Sequence, residues 1–259
     1  MHYQGVVFDL DGTIYRGNHL LPGAAGAVRR VRETGASVLF FSNNPSRSRE
    51  AYVMKLEDLG IKVTPDEVLS AGTVTTRFLA TEHPEDPVFV VGATGLLRQF
   101  KAAELKIVAE PERATVLVAS YDPDFDYVDM RDGYRALAAG AIFYGTDPDR
   151  LVPATDGMVP GSGAIINAIG GIVDRSPRKI LGKPSVEAQN AALEALECPP
   201  DRCLLVGDRL NTDIALGENA GMTTALVETG VASSPDIDES GIIPDYVLDS
   251  LESFDEIFD

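Results

Sequence analysis

No apolar run in this chain of 259 residues reaches the roughly 18 to 20 residues that a bilayer-spanning helix needs. The opening also lacks a targeting segment. Met1-His2-Tyr3-Gln4-Gly5 has no basic stretch and no small-residue cleavage site, and leads straight into Val6-Val7-Phe8. Together these absences predict a cytoplasmic protein. Cysteine occurs only at 198 and 203, with no third thiol or nearby histidine to complete a metal set. Buried thiols in a reducing compartment are the expectation. Positive charge is scarce as well: 22 basic residues, six of them lysines, face 40 acidic ones, for a net charge of −18. Such a chain repels nucleic acid and anionic membrane surfaces, so neither is expected as a partner. An acidic, lysine-poor surface suits a salt-rich cytoplasm, where screening over a few ångströms removes self-repulsion, and it points to a halophilic source. There is no internal repeat and no low-complexity segment.

What is present is a regular alternation. Short apolar runs at 5–8, 37–41, 88–91, 115–119, 141–144, 203–206 and 224–227 read as strands buried on both faces of a parallel sheet. Between them, 23–34, 47–59, 73–82, 94–103, 127–139, 163–169, 186–196 and 212–220 read as helices, several stopped by a glycine (35, 60, 140, 221). Alternation of this kind predicts an α/β, doubly wound, Rossmann-like parallel sheet. The middle of the chain repeats the same pattern as a separate unit. Proline-bearing polar junctions at 83–87 and 174–177 divide residues 1–80 and 177–259, a main core, from an inserted smaller α/β domain at 81–176.

Four segments carry chemistry. In Val6-Val7-Phe8-Asp9-Leu10-Asp11-Gly12-Thr13 a buried strand ends in two carboxylates at i and i+2 and turns at glycine. Loops at the carboxyl ends of strands are where open α/β sheets bind ligands. The spacing puts Asp9 and Asp11 on one face, where they repel unless a cation lies between them, and oxygen-only ligands suit Mg²⁺. Val38-Leu39-Phe40-Phe41-Ser42-Asn43-Asn44 ends a second strand in a hydroxyl and two amides, which are donors for phosphate oxygens and equally good turn formers. Gly182-Lys183-Pro184-Ser185 offers one cation before a helix, and Leu204–Asp213 ends a third strand in Asp208 and Asp213.

In this order and separation, over essentially the whole chain, the four segments resemble the haloacid dehalogenase (HAD) superfamily of phosphohydrolases. The insert looks like the α/β cap of the NagD-like, 4-nitrophenylphosphatase-type subfamily (class IIA), on the strength of Tyr144-Gly145-Thr146-Asp147-Pro148-Asp149 and Val159-Pro160-Gly161-Ser162-Gly163-Ala164. The resemblance implies an HAD core with an inserted cap and a Mg²⁺-dependent phosphatase acting on small phosphorylated metabolites. It assigns Asp9 as nucleophile and Asp11 as general acid and base. Asp9, the Asp11 carbonyl and Asp208 become metal ligands, and Ser42, Asn43, Asn44 and Lys183 hold the phosphoryl oxygens. Gly12, Thr13 and Asp213 support the site. No organic cofactor is implied. Cap-to-cap homodimers are common among such relatives, and the sequence leaves the oligomeric state open.

Other readings fit less well. Val88–Gly95 opens like a dinucleotide fold, but Arg98 stands where the third glycine is required, which tells against a nicotinamide-dependent reductase. Pro177 and Pro184 exclude a Walker-type loop around Lys183. A phospho-acceptor binding module has no need of Asp11, whereas a phosphotransferase or mutase shares every residue named. Substrate choice falls to the loop 146–158 and the turn 160–163. There Val152 occupies the place where pyridoxal phosphate phosphatases bring a histidine to their substrate.

Overall fold

The computed structural model describes residues 3–154 and 157–258. Contacts divide the chain into two compact units, one of Met1–Ser42, Arg49–Leu69 and Lys183–Asp259, the other of Asn43–Ser48 and Ser70–Gly182. In chain order the strands are β1 (Gly5–Phe8), β2 (Tyr15–Arg16), β3 (His19–Leu20), β4 (Ser37–Ser42), β5 (Val68–Ser70), β6 (Val88–Val91), β7 (Val116–Ala119), β8 (Ile142–Gly145), β9 (Leu151–Ala154), β10 (Gly157–Pro160), β11 (Lys179–Ile180), β12 (Cys203–Gly207), β13 (Thr223–Val227) and β14 (Tyr246–Leu248).

The first unit is built on a six-stranded sheet in the order β14-β13-β12-β1-β4-β5. β1 lies in parallel between β12 and β4, with Val7 in register with both Leu205 and Leu39. All four residues of β1 are buried, as expected of a strand covered on both faces. Phe8 stacks on Phe40 at 6.2 Å between ring centroids and meets Phe254 at 5.7 Å. The apolar stripe Ala24, Ala27, Val28 and Val31 of helix Ala24–Glu33 closes the same core. Helix Ala215–Ala220 stops at Gly221, whose φ of 75° is the left-handed conformation that glycine adopts without strain. Chain order reverses across β1, so the carboxyl ends of β1, β4 and β12 gather at the switch point where such sheets bind ligands. These ends carry Asp9, Ser42 and Asp208.

The second unit has a four-stranded parallel sheet, β11-β8-β7-β6, and an antiparallel ribbon of β9 and β10. Leu117, Ala119 and Phe143 pack with Ile165 and Ile169 of helix Ser162–Gly171. Leu79, Val88, Phe100, Val118 and Tyr144 form a second apolar cluster. The buried Tyr144 hydroxyl meets His83 Nε2 at 3.0 Å.

The contact-based division lies at Ser70 and Gly182, while the proline-bearing junctions lie at 83–87 and 174–177. Helix Ala71–Glu82 groups with the second unit through Leu79, and β11 does so by pairing with β8. Elements the sequence did not show are the two hairpins (β2–β3 and β9–β10) and the short strands β5, β11 and β14. The loop expected at 146–158 is therefore partly ribbon, and its residues Thr155 and Asp156 lie outside the described residues. The helix expected at 212–220 is α-helical only over Ala215–Ala220, and its first residues belong to a π-helical turn, Leu210–Ile214, a feature frequent at functional sites. Cys203 is buried as expected, but Cys198 is only partly so, and both are free thiols.

Candidate active site

Asp9 directly follows β1. Its backbone N–H donates to the Val206 carbonyl at 2.9 Å, which prolongs the ladder with β12 by one residue and fixes where the side chain points. Lys183 Nζ, only 2% exposed, donates to Asp9 Oδ1 at 2.7 Å, to Asp213 Oδ1 at 2.6 Å and to the Phe41 carbonyl at 2.8 Å. Three acceptors satisfy the three protons of the ammonium. Asp213 is held from the other side, its Oδ2 accepting the Arg209 N–H at 3.1 Å. Gly207 makes room for it, since a Cβ there would lie 2.3 Å from the Asp213 Cβ.

Asp208 ends β12 with no exposed surface. Its Oδ2 accepts the Val231 N–H at 2.8 Å, and its carbonyl accepts the Ala232 N–H at 2.9 Å. Its Oδ1 is buried without a hydrogen-bond partner among the described residues. Two glycines press on this carboxylate: a Cβ on Gly12 would lie 2.4 Å from Asp208 Oδ2, and one on Gly230 only 1.9 Å from it. Gly12 also has a φ of 102°, open to glycine but strained for other residues. Thr229 Oγ1 donates to the Gly12 carbonyl at 2.7 Å, tying the loop after β13 to the loop after β1.

Asp11 is less buried than Asp9. The Tyr15 hydroxyl approaches its Oδ2 at 3.4 Å, and Lys55 Nζ lies 3.4 Å above the centre of the Tyr15 ring. Thr13 is fully buried. Ser42, the last residue of β4, accepts a hydrogen bond from Tyr52 at 3.1 Å. Asn43 and Asn44 begin the stretch that groups with the second unit. There Asn43 Nδ2 donates to Asp149 Oδ2 at 3.2 Å, and Asn44 Oδ1 accepts from both Ser46 N and Ser46 Oγ in a turn. Of the residues singled out from sequence, then, Asp9, Asp208, Asp213 and Lys183 form one buried cluster. Asp11, Gly12, Thr13 and Ser42 belong to the same unit, while the two asparagines are engaged by the second. The loop Thr229-Gly230-Val231 escaped the sequence reading. Its signal was its place at the carboxyl end of another strand of the same sheet.

Three carboxylates face one ammonium in this cluster, and the charge imbalance bears on Asp9 and Asp208. Burial lifts the Asp9 carboxyl well above the usual carboxylate range; Lys183 draws it back, and Asp213 and Asp208 push it further up. Burial and then Asp213 raise Asp208 to about 7, against the pull of Arg209, the Val231 N–H and Lys183. For Lys183 burial alone disfavours the charge, but Asp213 and Asp9 outweigh it and hold the ammonium charged above its ordinary range. The cluster thus has less positive charge than its three carboxylates call for. Asp9, Asp208 and Asp213 each offer an oxygen within 4.8 Å of one another, a group able to hold a metal ion. An acceptor-only atom such as Asp208 Oδ1, buried and unbonded, is satisfied by a cation or by a proton.

Comparison with known proteins identifies the family. A family model described as haloacid dehalogenase-like hydrolase matches residues 6–106, and a second, HAD-hydrolase-like, matches residues 180–254. The chain is 34% identical to the sugar-phosphatase AraL of Bacillus subtilis, over 96% of this chain and 90% of that protein. The solved structure of a p-nitrophenyl phosphatase from Archaeoglobus fulgidus superposes with a TM-score of 0.92 at 35% identity, covering 99% of both chains. NagD from E. coli K-12 does so with a TM-score of 0.87 at 27% identity, covering 97% of this chain and 98% of its own. With its acidic cluster at the switch point of a parallel sheet, and with relatives matched along nearly its full length, the chain belongs to the haloacid dehalogenase-like hydrolases, in their NagD-like class IIA branch, and is a phosphatase of that family.

Proposed function

We propose that the enzyme hydrolyses small organic phosphate monoesters with Mg²⁺ bound, through a phosphoryl group carried transiently on Asp9. The observation that carries the reading is the buried cluster itself. Asp9 is held by a permanently charged lysine beside Asp208, whose Oδ1 has no partner among the described residues. The donor set fits Mg²⁺, since it is all oxygen and lacks positive charge. Asp9 and Asp208, with the Asp11 carbonyl, are the inner ligands in this reading. Asp213 has both oxygens engaged by Lys183 and Arg209, which suits it to orienting rather than ligating. When bound, the metal ion offsets the repulsion between the Asp9 carboxylate and a phosphate dianion.

The chain's own residues do the rest. Asp9 attacks phosphorus in line, a P–O bond forms to its carboxylate, and the bond to the leaving oxygen breaks. Asp11 gives that oxygen its proton. The carboxylate so formed then takes a proton from water as the water attacks the aspartyl-phosphate, which restores both residues. Ser42 and Asn43 hold the phosphoryl oxygens, on which negative charge persists through the transition state, and Lys183, whose protons are shared among Asp9, Asp213 and the Phe41 carbonyl, adds its positive charge beside them. Because AraL carries the name of a sugar-phosphatase, sugar phosphates come first among candidate substrates. The test is a hydrolysis screen of sugar phosphates, nucleoside monophosphates, phosphoglycolate and 4-nitrophenyl phosphate with Mg²⁺ and with chelator. Turnover is expected only with metal and is expected to be lost, by at least about 10³-fold, in Asp9→Asn. Full activity in that variant refutes the covalent mechanism, and full activity in chelator refutes the metal.

A further inference from the structure

Helix Arg49–Asp58 presents Tyr52 to the core of the first unit, where the ring packs in the cluster that includes Phe40 and Leu56. At 1% exposed, Tyr52 fills a position that phenylalanine would fill without a polar atom to satisfy. A buried phenol hydroxyl is costly unless it is bonded, and this one is bonded. It donates to Ser42 Oγ at 3.1 Å, and Ser42 is itself only 3% exposed. Nothing in the amino-acid pattern set Tyr52 apart from the other apolar positions of its helix.

The direction of that bond has a chemical consequence. A serine hydroxyl has one proton and two lone pairs, and its rotor has three staggered wells. Phosphoryl oxygens only accept, so Ser42 helps a phosphate only in the well that aims its proton at the ligand. An oxygen that already accepts from Tyr52 has one lone pair fixed on the Tyr52 side, so its proton must lie elsewhere. The donated bond also polarises the Ser42 O–H, making it a stronger donor in turn. We propose that Tyr52 is a positioning residue for phosphoryl binding, which acts by donating to Ser42 Oγ and so turning the Ser42 proton toward the phosphate. The inference rests on Ser42 being a phosphate ligand, as in the proposed function.

A double-mutant cycle tests it. Tyr52→Phe, Ser42→Ala and the double variant are assayed with 4-nitrophenyl phosphate in saturating Mg²⁺ for kcat/KM and for inhibition by inorganic phosphate, with a thermal melt of each. Tyr52→Phe is expected to lower kcat/KM about fivefold to twentyfold and to weaken phosphate inhibition by a similar factor, the size of one lost hydrogen bond to a charged group's ligand. In the Ser42→Ala background the same change is expected to alter neither quantity by more than about twofold, because its target is gone. In Ser42→Thr, which keeps the hydroxyl, the dependence on Tyr52 is expected to return. Equal effects of Tyr52→Phe with and without the Ser42 hydroxyl overturn the inference, as does a Tyr52→Phe enzyme with normal kcat/KM and merely a lower melting temperature. If Ser42→Ala itself matches the wild type, the phosphate-ligand role of Ser42 fails and takes the inference with it.

Discussion

Replacing Lys183 by methionine removes the one cation of the buried cluster while nearly keeping its volume. Lys183 is 2% exposed and lies within 2.7 Å of Asp9 and 2.6 Å of Asp213, so the variant leaves two carboxylates buried without their partner. Breaking a buried ion pair from one side costs about 3–5 kcal/mol, because the remaining charge keeps its desolvation penalty. For a chain of this size that is a fall in melting temperature of about 6–20 °C in chelator. The deficit has a definite pH dependence. Asp208 already sits near 7, against 3.8 for an exposed carboxyl, and Asp9 is likewise raised. A carboxyl raised on folding favours the fold most below its unfolded value, and that contribution is lost as pH rises through the folded value. Without Lys183 these carboxylates retain protons to higher pH still. The Lys183→Met deficit is therefore expected to be largest near pH 8 and to shrink as pH falls below about 7, where protons substitute for the missing charge. Added Mg²⁺ is expected to recover part of it at pH 8. Differential scanning calorimetry of both proteins at pH 5.5 and pH 8, in chelator and in Mg²⁺, reads each of these. A melting temperature within about 2 °C of the wild type in chelator at pH 8, or a deficit independent of pH, refutes the electrostatic account of the cluster.

Mg²⁺ and protons compete for the same oxygens. Because Asp208 is raised to about 7, half-saturating Mg²⁺ for turnover is expected to rise by up to about tenfold per pH unit below 7 and to level off above it; a flat dependence between pH 5.5 and 7 counts against Asp208 as an inner ligand. Gly230→Ala puts a Cβ where Asp208 Oδ2 now lies, 1.9 Å away. The carboxylate must shift, and metal activation is expected to weaken about 10- to 100-fold with little change in circular dichroism, so an unchanged Mg²⁺ titration would show that Asp208 does not depend on this packing. The charge of −18 is expected to make the melting temperature rise from dilute buffer to molar KCl; a fall would remove the case for a salt-adapted surface.

The strands that could be read in the sequence are apolar runs of four or more residues, most of them largely buried. β1, β4, β7 and β12 are apolar runs because helices cover both faces, and such runs stand out against any background. The elements that escaped are short or lie at edges. β5 and β14 have three residues each, too few to show a period, and the ribbon of β9 and β10 carries prolines at 153 and 160, which in a sequence mark loops. The division between the units followed contacts rather than punctuation. Proline at 84, 87 and 177 marks where the chain turns, but it holds no information about where the flanking helix and strand will pack.

The candidate site divides along a similar line. Asp9, Asp208 and Lys183 could be found because each is an ionisable side chain set at the end of an apolar run or the start of a helix, where a charge has no reason to be unless it has work there. What sequence could not show was how each one is held. Asp208 is oriented by the Val231 N–H, a donor that every residue but proline supplies, and by two glycines whose role is simply to leave space. The side chain of Asn43 donates to Asp149, 106 residues away, a partner that no local pattern around Ser42 announces. Tyr52 looked like core because it is core, and its hydroxyl gains meaning only from ending 3.1 Å from Ser42. Identity reveals which groups can do the chemistry. Orientation depends on backbone donors, missing Cβ atoms and distant partners, and these are properties of the fold.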